Sequence, residues 1–593
     1  MSSFTPTRLV RVGQEACRLV DDSDMDEEED VPIRYAALSH CWGGDVLLCL
    51  TTETCEPMKV DIDTTMLSKN FQDAISVTRA LRIRYLWIDS LCIIQDDPED
   101  WNRESILMVD VYANAELTIS ATASTTSSGG CFRERFDVSS PCRLVSSPGS
   151  ELRLVSDRDP ETIADVFRAR VENAPLIGRA WAFQERLLSR RILHFCSDMV
   201  LFECNTLQAS EKDPSGSKYE REPYVIIKGR MHPLPSWILR HLALASGSSD
   251  LSTVQPFLRP PEIRVPLPLD DEDSSSKRFP KLSPKEEGHI RRQMASGAFE
   301  DHTATRGIRG ALDTLLSMDM SPTGAPLTLH EMLAFNQRWF ELVRPYSRAQ
   351  LSRPADRLIA IAGVASLVET TSRAQYLAGL WRNVAPELGL LWRVKGVQGA
   401  RRQRISPYCA PTWSWASVDG GEVSLAPHVQ ITKSAAMELH AAVESATLRF
   451  QGREVTQARS HLDGAQLVLV GPVVCVGYSP DLGMLSYAPQ EGEREGDPAL
   501  DFWVDCEQSM DRVPVYPPGH GGNGELMAMH VLSLQGGDDD GDLWDIYGLV
   551  LRVVMLEGAE SSIVTVERVG IFAGHGFGRD GLTVWERTRL RII

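Results

Sequence analysis

The stretch GRAWAFQERLLSRRILHFC, residues 178–196, places a carboxylate where catalysis is chemically reasonable. Read as a helix from about Trp181 to Ser189, it sets Trp181, Glu185 and Leu188 along one side, because residues three and four apart share a helical face. An apolar run, Ile192 to Phe195, follows and reads as a strand. A carboxylate that reaches a strand-end crevice can hydrogen-bond a sugar hydroxyl or stabilise positive charge at an anomeric carbon. Glycosidic and N-glycosidic cleavage both pass through oxocarbenium-like transition states. Local chemistry also offers a plainer reading: Arg179, Arg186, Arg190 and Arg191 surround Glu185 in sequence, and one of them would hold it in a buried salt bridge.

Three further stretches carry candidate polar groups. LSHCWGG, residues 38–44, ends a strand, so Ser39 and His40 are placed to meet a polar ligand and the glycine pair allows a tight turn or close approach. The alternative is that His40 is hydrogen-bonded structure and Trp42 is core. Asp89 follows YLWI, where a carboxylate must be paired and contacts either a ligand ribose or the backbone. In DDPEDWNRESILMVDVYANA, Trp101 and Glu104 fall in the first turn of a helix, where acids are favoured by the free amides. There a structural pairing with arginine is the expected role of Glu104. GxSxG, HExxH, CxxC and triphosphate-loop motifs are missing, and the spacing of Cys41, Cys49 and Cys55 beside His40 is not that of a zinc site, so no metal is expected.

The elements that must position these groups alternate. Tyr35–Ser39, Tyr85–Ile88 and Leu117–Ala121 read as strands, with Leu152–Ser156 a weaker one. Phe71, Ala74, Ile75, Thr78 and Leu81 mark one helical face, and Trp101, Met108, Tyr112 and Ala115 another. This pattern predicts an α/β domain with a mostly parallel sheet over residues 31–206. Residues 1–30 hold a short strand near Arg8–Val12 and the acidic run DDSDMDEEED. Residues 207–300, rich in Ser, Asp, Pro and Lys from about 246, read as a linker or irregular excursion. Residues 301–400 are helical in pattern, and 401–593 show the short valine-rich runs of an antiparallel β-rich region.

Composition narrows the setting. With 593 residues, 43% of them hydrophobic and 24% charged, the chain is globular and has room for several domains. A formal charge of -20 argues against a nucleic-acid partner. The 12 cysteines, several in apolar runs, fit reduced thiols, and neither a secretory h-region nor a membrane-length apolar run is expected. A cytoplasmic protein without membrane attachment is the resulting expectation.

Three blocks, YAALSHCWGG at 35–44, YLWIDSLCIIQDDPEDWNRESILMVDVYANAELTISA at 85–121 and GRAWAFQERLLSRRILHF at 178–195, resemble the fungal heterokaryon-incompatibility (HET) domain family. The resemblance covers about 31–206 and continues loosely through YSRAQLSRPADRLIAIAGVA, GLWR and PTWSWASVDG. It implies a role in non-self recognition and programmed cell death, with self-association and an incompatibility partner protein. The family is distantly similar in fold to TIR domains, some of which cleave NAD with a glutamate four residues after a tryptophan. Trp181 and Glu185 match that spacing. The resemblance therefore makes Glu185 the first catalytic candidate and Glu104 the second, with NAD a substrate and no resident cofactor. Ser39, His40, Trp42, Asp89 and Trp181 line the expected nucleotide pocket by placement. The competing expectations are a noncatalytic signalling or scaffolding protein, or a HET-domain protein recruited to a biosynthetic pathway.

Overall fold

The computed structural model describes the chain chiefly over residues 4–25, 33–133, 142–154, 166–233 and 307–593, apart from some loops inside these ranges. The acidic run beyond Met25, Gly44 and the stretch 246–293 lie outside the described residues.

The N-terminal sheet uses β1 (Arg8–Val12), β2 (Cys17–Asp21), β3 (Tyr35–Ser39), β4 (Tyr85–Trp87) and β5 (Leu117–Ser120), then β8 (Arg191–Phe195), β9 (Val200–Cys204), β10 (Leu207–Ser210) and β11 (Ser217–Lys218). β6 (Cys142–Ser147) and β7 (Ser150–Leu154) form a separate antiparallel pair. The expected strand at 152–156 is therefore displaced and does not join the main sheet. Strand order is β11-β10-β9-β8-β5-β3-β4-β1-β2. Only the central run β8-β5-β3-β4 is parallel. Both flanks are antiparallel, so the expectation of a mostly parallel sheet is corrected to a mixed sheet with a parallel heart. The reason is connection length: the turns after β1, β8 and β9 are too short for a crossover, and short turns give antiparallel neighbours.

The parallel strands are buried along their whole length in β3, β4 and β5, as strands covered on both faces must be. Helices α1 (Cys55–Val60), α2 (Lys69–Ala80), the single turn α3 (Asp89–Cys92), α4 (Pro98–Asn114) and α5 (Ala180–Leu188) connect them. α4 starts where Asp97 accepts the amides of Glu99 and Asp100, with Pro98 in its first turn. β3 and β5 are neighbours, and the chain leaves β3 towards β4 but leaves β5 the other way, towards β8. The loops at the carboxyl ends of β3 and β5 thus flank the crevice in which open α/β sheets bind ligands.

The second region packs directly on α5. Helices α6 (Gly307–Ser317), α7 (Leu329–Arg348) and α8 (Ala362–Ser372) share an apolar cluster with Ala180, Phe183 and Leu187 of α5. α7 begins at a capping box in which Thr328 and Glu331 bond each other's backbone amides. Beyond it, strands between Met437 and Ile592 form a second sheet whose pairing closes into a ring: Leu462–Ser479 pairs with both Leu526–Gln535 and Glu586–Ile592. One parallel pairing, between Val564–Gly578 and Glu586–Ile592, completes the ring.

A buried ion cluster joins the two regions. Arg186 of α5 donates to Glu203 of β9 at 2.8 Å, and Arg309 of α6 reaches the same carboxylate. Arg309 also donates to the carbonyl oxygens of Arg186 at 2.6 Å and Ser189 at 3.1 Å. Burial alone would raise the Glu203 pKa, but the two arginines overcome it and hold the carboxyl well below the usual range. Arg309→Ala removes one counter-charge and frees two buried carbonyls, so it is expected to destabilise the fold by about 3–5 kcal/mol. Denaturant unfolding checks this, and an unchanged midpoint would show that the cluster does not hold the regions together.

Candidate functional site

α5 begins directly at the crevice. Its chain enters through Gly178 and Arg179, where the amide of Gln350 donates to Gly178 at 2.7 Å and the amide of Ala180 donates back to Gln350 at 3.0 Å. From there each residue of the helix has its own surroundings. Ala182 packs on Cys41 after β3, the amide of Gly363 donates to the Gln184 side chain at 2.7 Å, and Arg186 turns to Glu203. Glu185 is left facing the carboxyl end of β3.

The Glu185 carboxyl lies beside the hydroxyls of Ser39, the last residue of β3, and Tyr112 of α4, both of which favour its charged form. Its residue is 6% exposed, and its Oε2 is buried without any hydrogen-bond partner. Among the described residues no basic group forms an ion pair with it, so the salt-bridge reading of this helix applies to Arg186 and Glu203 instead. Burial raises the Glu185 pKa to about 7, the nearby hydroxyls of Ser39 and Tyr112 and the charge of Arg179 oppose that rise, and Asp89 adds to it.

Tyr112 carries one phenolic proton and donates it to the Leu38 carbonyl at 3.0 Å. With that proton committed, the tyrosine oxygen can accept from Glu185 only when the carboxyl is neutral. Ionised Glu185 competes with the Leu38 carbonyl for the phenol. The buried arrangement thus favours the neutral carboxyl.

The other polar groups converge on the same end of the sheet. The Trp42 indole donates to Asp89 Oδ2 at 2.6 Å, and the Ser90 amide donates to Asp89 Oδ1 at 2.8 Å. His40 Nδ1 lies 3.8 Å from Asp89 Oδ1, its Nε2 is buried without a partner, and its ring meets Phe71 edge-on at 5.0 Å. Burial lowers the His40 pKa against the pull of Asp89, so the ring is neutral. Arg179 donates from Nη1 to the His40 carbonyl, and its charge opposes the burial that pushes the Cys41 thiol up.

Ser39, His40, Trp42, Asp89 and Glu185 are thus brought together, while Trp181 and Glu104 are not part of the polar cluster. Trp181 is half-buried and packs between the two apolar cores. Glu104 sits in an ion cluster with Arg8 at 3.7 Å and Arg103 at 3.4 Å, beside an Asp100 that meets Arg8 at 2.5 Å. That cluster ties α4 to β1, a structural pairing with arginine. Two members of the site were not singled out from sequence. Tyr112 was read only as part of a packed helical face, and its hydroxyl leaves no trace in periodicity. Arg179 was counted among four arginines, although its place just before the helix start was the signal that separates it from the rest.

Groups of His, Cys, Asp or Glu able to hold a metal are absent among the described residues. No described helix is long and apolar enough to cross a membrane. No curated protein and no solved structure matches the chain. Residues 35–185, from the first strand of the parallel heart to the buried glutamate, match the family model described as heterokaryon incompatibility protein (HET).

Proposed function

We propose that the protein is a cytoplasmic incompatibility and cell-death effector whose HET domain cleaves the nicotinamide N-glycosidic bond of NAD. The reading is carried by Glu185, a buried carboxyl with one unpartnered oxygen at the carboxyl end of β3. As the C1′–N bond breaks, its electron pair leaves with the pyridinium, which becomes neutral nicotinamide. Positive charge develops on the ribose, where the Glu185 carboxylate opposes it, and water then adds to C1′ with loss of a proton. Ser39 and Tyr112 orient the carboxyl, and Asp89 with Trp42 fixes the loop after β3. The effector acts through self-association and an incompatibility partner. The low exposure of Glu185 favours a second reading, a noncatalytic scaffold in which this carboxyl is only part of the packing.

Nicotinamide release from NAD by the assembled, full-length protein separates the two. Wild type is expected to turn over, with a rate that rises as pH passes about 7, because the ionised carboxylate is the active form. Glu185→Gln is expected to lose about 100-fold or more. Absence of product from assembled wild type, or normal turnover by the variant, sinks the enzymatic reading.

Stability gives an independent check. A pKa raised from 4.5 to about 7 means that the folded state favours the neutral carboxyl. Its stability contribution is complete below 4.5 and is lost as pH rises through about 7. Glu185→Gln cannot ionise, so above pH 7 it should be more stable than wild type, by up to about 3 kcal/mol, with the difference shrinking toward acid pH. Thermal unfolding across that pH range checks this. A variant less stable than wild type at pH 8 would mean that the carboxylate is held for structure.

A further inference from the structure

We infer that Arg179 is the phosphate-recognising residue of this site and restricts it to nucleotides that carry phosphate on the ribose losing its base. The inference rests on the reading of Glu185 as the carboxylate facing that ribose.

Arg179 is half-buried at the crevice, immediately before the first residue of α5. Its Nη1 donates to the His40 carbonyl, which anchors the side chain at one edge. A guanidinium has five N–H donors in a planar fork, so this contact leaves donors for a bidentate anion. Arg179 is also the cation whose field acts on Glu185, His40, Cys41 and Tyr112 alike. His40 cannot share that work, because burial keeps its ring neutral. A phosphate entering beside Glu185 and Asp89 therefore meets two carboxyl groups and needs this arginine as its counter-charge.

Position supports the same assignment. Arg179 is the extended N-cap of α5 and Glu185 lies within the helix six positions on, an axial offset of about 9 Å, which is on the scale of a ribose 5′-phosphate with the reach of two long side chains. No side chain caps the N-terminus of α5, so the first-turn dipole adds to the positive potential at the phosphate end only. The helix thus presents a cation at its start and a carboxyl about one and two-thirds turns later, matching the polarity of a nucleotide: phosphate at one end of the ribose, developing positive charge at the other.

The test compares NAD with nicotinamide riboside, which has the same scissile bond and no phosphate. Wild type is expected to prefer NAD in kcat/KM, and Arg179→Ala to reduce that preference by about 10- to 100-fold. Arg179→Lys, which keeps the charge but loses the fork, should restore it in part. Taking the ratio at one pH cancels any shift that loss of Arg179 causes in Glu185. An equal loss on both substrates overturns the proposal and makes Arg179 a positioning residue for the loop after β3. Titration of ADP-ribose into Glu185→Gln supplies a readout without turnover: binding should weaken by about 10- to 100-fold when Arg179→Ala is added. Unchanged binding overturns the phosphate role. Arginine-dependent binding by a protein that cleaves neither substrate leaves the phosphate role standing and removes the glycosidase reading alone.

Discussion

α5 has almost no face left for solvent, and the rest of the molecule is arranged around that constraint. Of its nine residues only Trp181 is not fully buried. Ala180, Phe183 and Leu187 belong to the core of the helical and C-terminal regions, while Leu188 belongs to the core of the parallel sheet. Phe183 meets Tyr346 of α7 with ring centroids 5.4 Å apart. A helix buried on several sides can carry polar groups only where each one is answered by a partner. Gln184 is answered by Gly363 and Arg186 by Glu203. Glu185 is answered only in part.

The contrast between Glu185 and Glu203 separates architecture from chemistry. Both carboxyls are buried, and burial pushes the pKa of both upward. Two arginines reverse the effect at Glu203 and keep it charged as a fixed anchor. Glu185 receives hydroxyl groups and a more distant arginine, which leave it poised near neutrality. Environments that drive like groups apart in pKa are how a fold assigns one to structure and another to proton or charge work.

Much of this arrangement was readable in the chain. The buried strands Tyr35–Ser39, Tyr85–Trp87 and Leu117–Ser120 are short runs dominated by apolar and β-forming residues, and the helix at Ala180–Leu188 begins one residue before its expected start. Ser39, His40, Trp42 and Asp89 were placed by their strand-end positions, whereas Glu185, inside a helix, was singled out by the family resemblance. The antiparallel flanks were not legible, because period-2 patterning does not say which neighbour a short strand chooses. Nor was the choice of arginine: none of Arg179, Arg186 and Arg190 stands three or four positions from Glu185, so spacing does not choose among them, and the pairing of Arg186 with a strand that follows removes it. The contribution of Gln350 is invisible in principle, since it acts through its backbone.

That backbone contact has a consequence for how the protein can be taken apart. The turn that delivers Arg179 to the crevice is held as though it were one rung of a sheet, by a segment more than a hundred residues further along. The matched family region ends at Glu185, within the very helix whose other face is roofed by α7 and α8. Cutting the chain after the N-terminal sheet would strip that roof from Phe183 and Leu187 and leave two large apolar side chains in water. The region that matches the family model is therefore not an autonomous cassette, and a shortened version would be expected to recruit another surface, its own copies included, to replace the missing cover.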